Sequence, residues 1–453
     1  MQVAVFGLGG RVQDVLTECV QLKEETGKSI QVVAICDNCA EESYQFFIKN
    51  RLPQQLLADY AHMFDKKVVY PDTDEGIEEL FRDHPNLDRI FITSPNHRHY
   101  VHLNAALTRS ACKTIYLEKP LFRTLKEFDY FNHDLSERTI HVGLTLRYAL
   151  ITKLVAENLR KYKPELGKLQ KVHSWEHVNF GHGLSIIMMN WRRYQSLSGG
   201  LLLDKSVHDL DLALYFMEAV GVRPEAFSIS TEARHDFYKN SNKQNIVDRL
   251  LIDKGLQKNV ERWESVPWER RVNFGYDPQG AIDWTQSMDN FFSDFPEKDD
   301  FSSSDIIPDS HTVTSKIQTE SGDCVDFKLD LKLNGFATET QRGCRLLFEN
   351  GEVEVDMESS KMVIQIKAKE PLEINLNTRG VRHAGGDVYV AHTVLGTLPE
   401  GNLSAEFSNP SVQISTIMGL VSEHQALHHL KDELLVRKNN GHWVVESYVE
   451  DNK

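Results

Sequence analysis

The sequence predicts an α/β domain built on a parallel sheet, followed by a second domain that carries a sheet of its own. Three observations predict this. Strands and helices alternate through the first 150 residues, the pattern of βαβ units with helices on both sheet faces. The opening strand runs straight into a glycine-rich turn and a helix. A chain of 453 residues also exceeds one ordinary domain, and its 41% hydrophobic content can fill sizeable cores.

Residues 2–6, Gln Val Ala Val Phe, read as a short apolar strand, and Gly7 Leu8 Gly9 Gly10 Arg11 Val12 as the turn. Val15, Leu16, Cys19, Val20 and Leu22 then keep a helical period. Glycines at such a turn let the backbone approach a pyrophosphate, which the helix N-terminus holds through its free N–H groups and dipole. Val12 replaces the third glycine of the dinucleotide fingerprint. A second strand, 30–35, leads to Asp37, where a carboxylate suits ribose hydroxyls; a strand-end turn residue is an equal reading. Asn38 follows, with no Arg or Lys to neutralise a 2′-phosphate, so NAD is favoured over NADP.

Further strands are expected at 68–70, 89–93, 114–117 and 141–146, and helices near 75–82, 98–108 and 124–137. Ligands of a parallel sheet bind at the C-terminal ends of its strands. Two such ends are chemically loaded: Ser94 Pro95 Asn96 His97 Arg98 His99, and Glu118 Lys119 Pro120. Pro120 stops its strand and biases Lys119 toward an extended conformation. A lysine beside a positive nicotinamide ring has its pKa driven from about 10.4 toward about 7–8, useful for proton transfer. Alone, the triplet favours the reading of a surface lysine capping a strand.

In the second domain, 167–180 reads as a strand with one wet face, and more strands are expected at 325–333, 344–349, 352–357 and 361–368, with a closing helix near 409–430. Between them, Gly199 Gly200 opens a helix whose Leu203, Val207, Leu210 and Leu214 form an apolar stripe, at about 100° per residue. Asp204, His208, Asp211 and Tyr215 form a polar stripe beside it. Asp204 and His208 lie four residues apart, so the carboxylate can orient and charge-tune the imidazole. A proton relay, a metal site and a buried hydrogen-bond network all fit this stripe; three ligands on one helix face rarely complete a coordination sphere, so no metal is expected. His182, Trp191 and the arginines beside Trp191 suit sugar stacking and hydroxyl recognition as well as they suit ordinary packing.

The formal charge of −15 argues against nucleic acid or an anionic membrane as partner. No run of eighteen apolar residues occurs, and the first strand begins at residue 2, so a cytoplasmic enzyme without a signal peptide is expected. Cys36 and Cys39 form the one close cysteine pair and read as reduced structural thiols. His424 Gln425 Ala426 Leu427 His428 nearly matches a zinc motif, but Gln replaces the general base, and a helix surface is expected there. Residues 236–310 read as an insertion. From Asp277 to Asp309 there are nine acidic residues and one basic. Trp263, Trp268, Trp284, Phe291, Phe292 and Phe295 predict a partly ordered excursion over the active-site mouth or an oligomer surface.

Taken together, Gly7 Leu8 Gly9 Gly10, Ser94 Pro95 Asn96 with His99, Glu118 Lys119 Pro120, Arg147 Tyr148, and Gly199 Gly200 with Asp204, His208 and Asp211 resemble the glucose-fructose oxidoreductase and inositol dehydrogenase family (Gfo/Idh/MocA). His383 Ala384 Gly385 Gly386 Asp387 is similar to a glycine-rich stretch of some members. The resemblance implies an α/β Rossmann domain plus an α+β domain with a large open, mostly antiparallel sheet. The expected boundaries are 1–122 for the first, with strand and helix to about 150 closing it, 123–430 for the second, and 431–453 for a tail. It implies NAD(P)-dependent hydride transfer at a CH–OH group of a sugar, sugar derivative or cyclitol, with Lys119 and His208 handling protons and Asp204 partnering the histidine. It places Gly7, Gly9, Gly10, Asp37, Ser94, Asn96, His99 and Glu118 at the dinucleotide, and Arg147 and Tyr148, with His182 and Trp191, at the substrate. A homodimer or homotetramer through the second sheet is also implied. Two other readings use the same fold: a redox-neutral NAD-dependent glycosidase, and a non-catalytic sugar or dinucleotide sensor.

Overall fold

The computed structural model describes residues 1–41, 44–45, 48, 54–187, 191–246, 249, 305–376, 385–439 and 442–446. Trp263, Trp268, Trp284, Phe291, Phe292, Phe295 and most of the acidic residues of the expected excursion, and His383 and Ala384, lie outside these residues. The chain forms two compact units that interleave along the sequence: Met1–Lys163, Leu210–Gly221 and Asn375–Ile417 make the first, and Pro164–Asp209, Val222–Ile374 and Met418–Lys453 the second.

The first unit holds a six-stranded parallel sheet: β1 (Gln2–Phe6), β2 (Gln31–Cys36), β3 (Val68–Tyr70), β4 (Arg89–Ile92), β5 (Thr114–Leu117) and β6 (Thr139–Val142), in the order β3-β2-β1-β4-β5-β6. Val3, Ala4, Val5 and Phe6 are buried in succession because helices cover both faces of a parallel sheet. The helices are α1 (Gly10–Gln21), α2 (Leu57–Met63), α3 (Asp74–Asp83), α4 (Asn96–Arg109), α5 (Leu125–Tyr130), α6 (Thr145–Tyr148) and α7 (Leu150–Leu166). The strand order reverses between β1 and β4, which places the ligand crevice of this architecture there. Beyond β6 the chain returns from far downstream: Val142 N–H donates to Ala405 and Phe407 N–H to Ile140, adding an antiparallel bridge at that edge.

The second unit carries a mixed, mostly antiparallel ten-stranded sheet: β7 (Leu169–Val178), β8 (Pro224–Arg234), β9 (Ser310–Thr319), β10 (Cys324–Leu333), β11 (Gln341–Phe348), β12 (Gly351–Asp356), β13 (Lys361–Ile366), β14 (Leu372–Asn375), β15 (Leu434–Asn439) and β16 (His442–Val445). β7 and β10 pair in parallel at its centre. On β10, Val325, Phe327, Leu329, Leu331 and Leu333 are buried while Asp326, Lys328, Asp330 and Lys332 alternate on the wetter face, which is why a two-residue period reads as strand. Residues 434–439 and 442–445, read from the sequence as tail, instead form a hairpin whose first strand pairs with β8. Four longer helices follow: α8 (Phe180–Ile187) in the second unit, α10 (Gly386–Leu395) in the first, and α9 (Val207–Ala219) and α11 (Pro410–Leu427), whose residues divide between the two.

Candidate active site

In the first unit the turn after β1 is built around Gly7, whose φ is +84° and where an added Cβ would meet Ser94 Cα at 2.4 Å. Only glycine allows this turn to lie against the end of β4. Gly9 and Gly10 are exposed, Gly9 caps α1, and the first turn of α1 holds neither an acidic residue nor a side-chain cap bond. The free N–H groups of this helix end suit an anionic diphosphate. Asp37, at the end of β2, accepts Leu8 N–H on Oδ2 (2.8 Å) and Cys39 N–H on Oδ1 (2.6 Å). Each oxygen keeps a lone pair for a ribose hydroxyl. Cys36 is buried and Cys39 exposed, and neither is in a disulfide.

The end of β4 is wired into the unit rather than left open. The hydroxyl of Ser94 meets His102 Nδ1 (2.9 Å), and His102 Nε2 meets Asp72 Oδ1 (2.8 Å). Arg98 donates twice to Asp72, at 2.7 and 3.2 Å. Burial alone would raise the Asp72 carboxyl, but the His102 and Arg98 hydrogen bonds and charges outweigh it and hold the group well below the usual carboxylate range. Asn96 is the buried first residue of α4. His99 is 1% exposed, with Nε2 at 2.8 Å from Ser94 O and Nδ1 at 2.7 Å from Pro120 O. Burial lowers its pKa against these two carbonyls.

Lys119 is half-buried just beyond β5. Its neighbour Glu118 turns inward, where Oε1 accepts Arg11 Nε (2.8 Å) and the Tyr116 hydroxyl (2.5 Å). Arg147 donates to both Asp211 oxygens (2.8 and 2.5 Å) and to Ser411 (3.0 Å), and the Tyr148 hydroxyl donates to the carbonyls of Val142 and Ala405. His99, Glu118, Arg147 and Tyr148, expected at ligands, thus bond their polar groups to protein partners. Asp211 likewise leaves the expected polar stripe to neutralise Arg147.

The second unit presents the other half of the predicted chemistry. Leu202–Ser206 is π-helical and continues into α9, so Asp204 sits in a local widening of the helix, a feature found frequently at functional sites. The four-residue spacing to His208 therefore crosses a break in helical geometry. Asp204 is 1% exposed, and Arg192 Nε donates to its Oδ2 at 2.8 Å. His208 is half-buried in the first turn of α9. Glu423, on α11, accepts Leu202 N–H (2.5 Å) and thus caps this helix from inside. A Cβ on Gly200, whose φ is +108°, would lie 2.1 Å from the Glu423 carboxyl carbon, which explains the glycine pair.

Beneath the helix, buried Glu176 accepts Lys205 (3.0 Å), Ser206 (3.2 Å) and Arg342, and Arg342 also meets Asp209 (2.9 Å). Burial and the Glu176 charge raise the Asp209 carboxyl, while Arg342 and Lys205 hold Glu176 low despite burial. His182 lies in the first turn of α8. Desolvation of the ring, then the charges of Lys205, Arg192 and Arg342, push its imidazole down to about 3, although the residue as a whole is exposed. Trp191 is half-buried, with the Arg192 guanidinium 5.9 Å from its ring. His424, expected on a helix surface, is 7% exposed, its ring 4.3 Å from that of His428.

Sequence reasoning missed Arg11, Asp387, Glu176, Arg342 and Glu423. Arg11 carried a signal, since a cation in the first turn of a helix opposes the dipole and needs carboxylates to hold it.

A parallel sheet with an open glycine-turn helix end, together with a second unit built on a large mixed sheet, defines a Rossmann-type oxidoreductase architecture. The oxidoreductase-family model for the NAD-binding Rossmann fold matches residues 1–140, and the model for that family's C-terminal α/β domain matches 163–230. Residues 1–140 and 163–230 thus match the two domains of the Gfo/Idh/MocA oxidoreductase family. An uncharacterized oxidoreductase of Bacillus subtilis, YrbE, is 30% identical over 143 residues, covering 31% of this chain and 38% of that protein. The match therefore spans about two fifths of that relative's length. Among solved structures, levoglucosan dehydrogenase in complex with NADH and levoglucosan is similar in fold, with TM-score 0.57, 12% identity, and coverage of 98% of this chain and 99% of that one. An inositol dehydrogenase homolog of Azotobacter vinelandii complexed with NAD+ has TM-score 0.56 and 14% identity, covering 98% of this chain and 97% of that one.

Proposed function

We propose that this protein is a dehydrogenase that uses NAD in preference to NADP and acts on a CH–OH group of a sugar, sugar derivative or cyclitol. The observation that carries the reading is the pairing of an open α1 N-terminus with Asp37 in a unit that also presents Lys119. Asp204 and His208, on the π-broken helix of the second unit, supply the remaining acid/base groups. The dinucleotide-bound relatives in complex with levoglucosan, or named for inositol, support the substrate class.

The α1 N–H groups, with Gly7, Gly9 and Gly10, would hold the diphosphate, and Asp37 the adenosine ribose. A 2′-phosphate there would face the Asp37 carboxylate, while Arg98 is committed to Asp72. Bound NAD supplies the hydride acceptor. Lys119 or His208 takes the hydroxyl proton in oxidation and returns it in reduction, and the Asp204 carboxylate, anchored by Arg192, stabilises positive charge on its helix. His182 and Trp191 recognise substrate hydroxyls and ring faces.

The test is a calorimetric titration with NAD and NADP, followed by a polyol and sugar panel read by reduced-nicotinamide absorbance. NAD binding tighter than NADP binding, with turnover lost in Lys119→Ala and His208→Ala while NAD is still bound, supports the reading. Binding of neither dinucleotide overturns it.

A further inference from the structure

Arg11 stands in the first turn of α1, directly after the exposed Gly9 and Gly10, where a free guanidinium would reach for a diphosphate. It is not free. Nε donates to Glu118 Oε1 (2.8 Å), Nη1 to Asp387 Oδ1 (2.5 Å) and Nη2 to Thr145 Oγ1 (2.8 Å). The side chains of Arg11, Glu118 and Asp387 are 21%, 9% and 8% exposed, so this is an interior network. Its members come from α1, the end of β5, the start of α6 and the first turn of α10, and α10 packs against α1 and α6. Glu118 completes the chain, because its Oε2 faces Lys119 N–H at 3.3 Å.

We infer that Asp387 and Arg11 are positioning residues for Lys119: Asp387 holds the Arg11 guanidinium off the diphosphate path and against Glu118, which fixes the backbone and the local charge at Lys119. This rests on the reading of Lys119 as a proton-handling group. The network holds two carboxylates and one guanidinium, leaving one negative charge for the lysine next to it. Its second carboxylate is recruited from 376 positions downstream of Arg11. The charged and titratable side chains that meet at this corner include Glu118 and Tyr116 on and after β5, Arg11 and Glu18 on α1, His99 on α4, Tyr148 on α6 and Asp387 on α10.

The consequence has a sign. Removing the Asp387 charge leaves Arg11 less compensated, which disfavours a protonated Lys119; removing the Arg11 charge does the reverse. The experiment needs no substrate: competitive acetylation of the full chain with acetic anhydride across pH, with the Lys119 peptide quantified by mass spectrometry, reads the titration midpoint of that amine. Asp387→Asn is expected to lower the midpoint by about half a unit and Arg11→Met to raise it by a similar amount. Asp387→Glu, which keeps the charge, is expected to stay at the wild-type midpoint. NAD affinity, by calorimetry, is expected to change less than about threefold in Arg11→Met, because the α1 N–H groups are untouched and no guanidinium is left to reach the diphosphate.

Midpoints of Asp387→Asn and Arg11→Met that coincide with wild type overturn the inference, as does a shift in the same direction in both. Should Asp387→Asn not fold, the opposite-signed shift in Arg11→Met against an unmoved Asp387→Glu decides the matter alone. Failure of the underlying reading looks different: Lys119→Ala would then turn over substrate as fast as wild type, whatever the acetylation midpoints show.

Discussion

Replacing Gly200 by Ala tests how the helix bearing Asp204 and His208 is held. The residue has φ +108°, a region L side chains rarely adopt, which costs about 1–3 kcal/mol. The added Cβ would lie 2.1 Å from the Glu423 carboxyl carbon and 2.2 Å from its Oε2. Overpacking of that kind costs about 1–3 kcal/mol more, so about 4 kcal/mol in total is expected. Glu423→Ala alone removes the Leu202 N–H acceptor and the buried partner of His311, at 3.6 Å, and should cost about 2 kcal/mol. In the double variant the clash disappears, so its destabilisation should fall short of the sum by at least about 1 kcal/mol. Urea denaturation followed by tryptophan fluorescence measures all four proteins. Additivity within about 0.5 kcal/mol would refute the claim that Gly200 is glycine because Glu423 occupies its side-chain space.

Other consequences are as direct. Arg147→Met should destabilise the protein by about 3–5 kcal/mol, because it strands buried Asp211, and Arg147→Met with Asp211→Leu should recover most of that; loss of substrate affinity without loss of stability would restore the ligand role expected from sequence. Asp309 accepts the N–H groups of Asp236, Phe237 and Tyr238, yet burial pushes its carboxyl up to about 6. A raised carboxyl favours the folded state at low pH, so this contribution is present below about pH 4 and is lost as pH rises through about 6, an effect on the order of 2–3 kcal/mol. Urea titrations of wild type and Asp309→Asn at pH 4.5 and 7.5 should differ in pH slope accordingly, and equal slopes would refute it. Asp37→Ser should weaken NAD binding by about tenfold and narrow the preference over NADP, measured by calorimetry.

Periodicity made the framework readable. The unbroken apolar run Val3–Phe6 and the alternation from Val325 to Leu333 each have one physical explanation, burial on two faces or on one. The glycine turn was legible for a local reason too, since Gly7 answers to the next strand end in the sheet. What was not legible came from partners distant in the chain. Glu118 and Arg147 look like ligand contacts until Arg11 and Asp211 arrive to neutralise them, 107 and 64 positions away. The Asp204–His208 spacing assumed a regular helix, and the π-turn at Leu202–Ser206 breaks that assumption without any glycine or proline inside it to announce the break. The His424 motif taken alone predicts a helix surface, whereas α11 runs through the interior, with Val412, Ile414, Ile417, Met418 and Val421 all buried.

The central claim is tested most directly by isotope transfer. A panel of sugars and cyclitols carrying deuterium on their CH–OH carbons is incubated with the protein and NAD, and the reduced dinucleotide is analysed by mass spectrometry. One deuterium at the nicotinamide ring is expected with at least one member of the panel, abolished in Lys119→Ala and His208→Ala variants that still bind NAD. Tight NAD binding with no deuterium transfer from any polyol, or transfer undiminished in both variants, would contradict it.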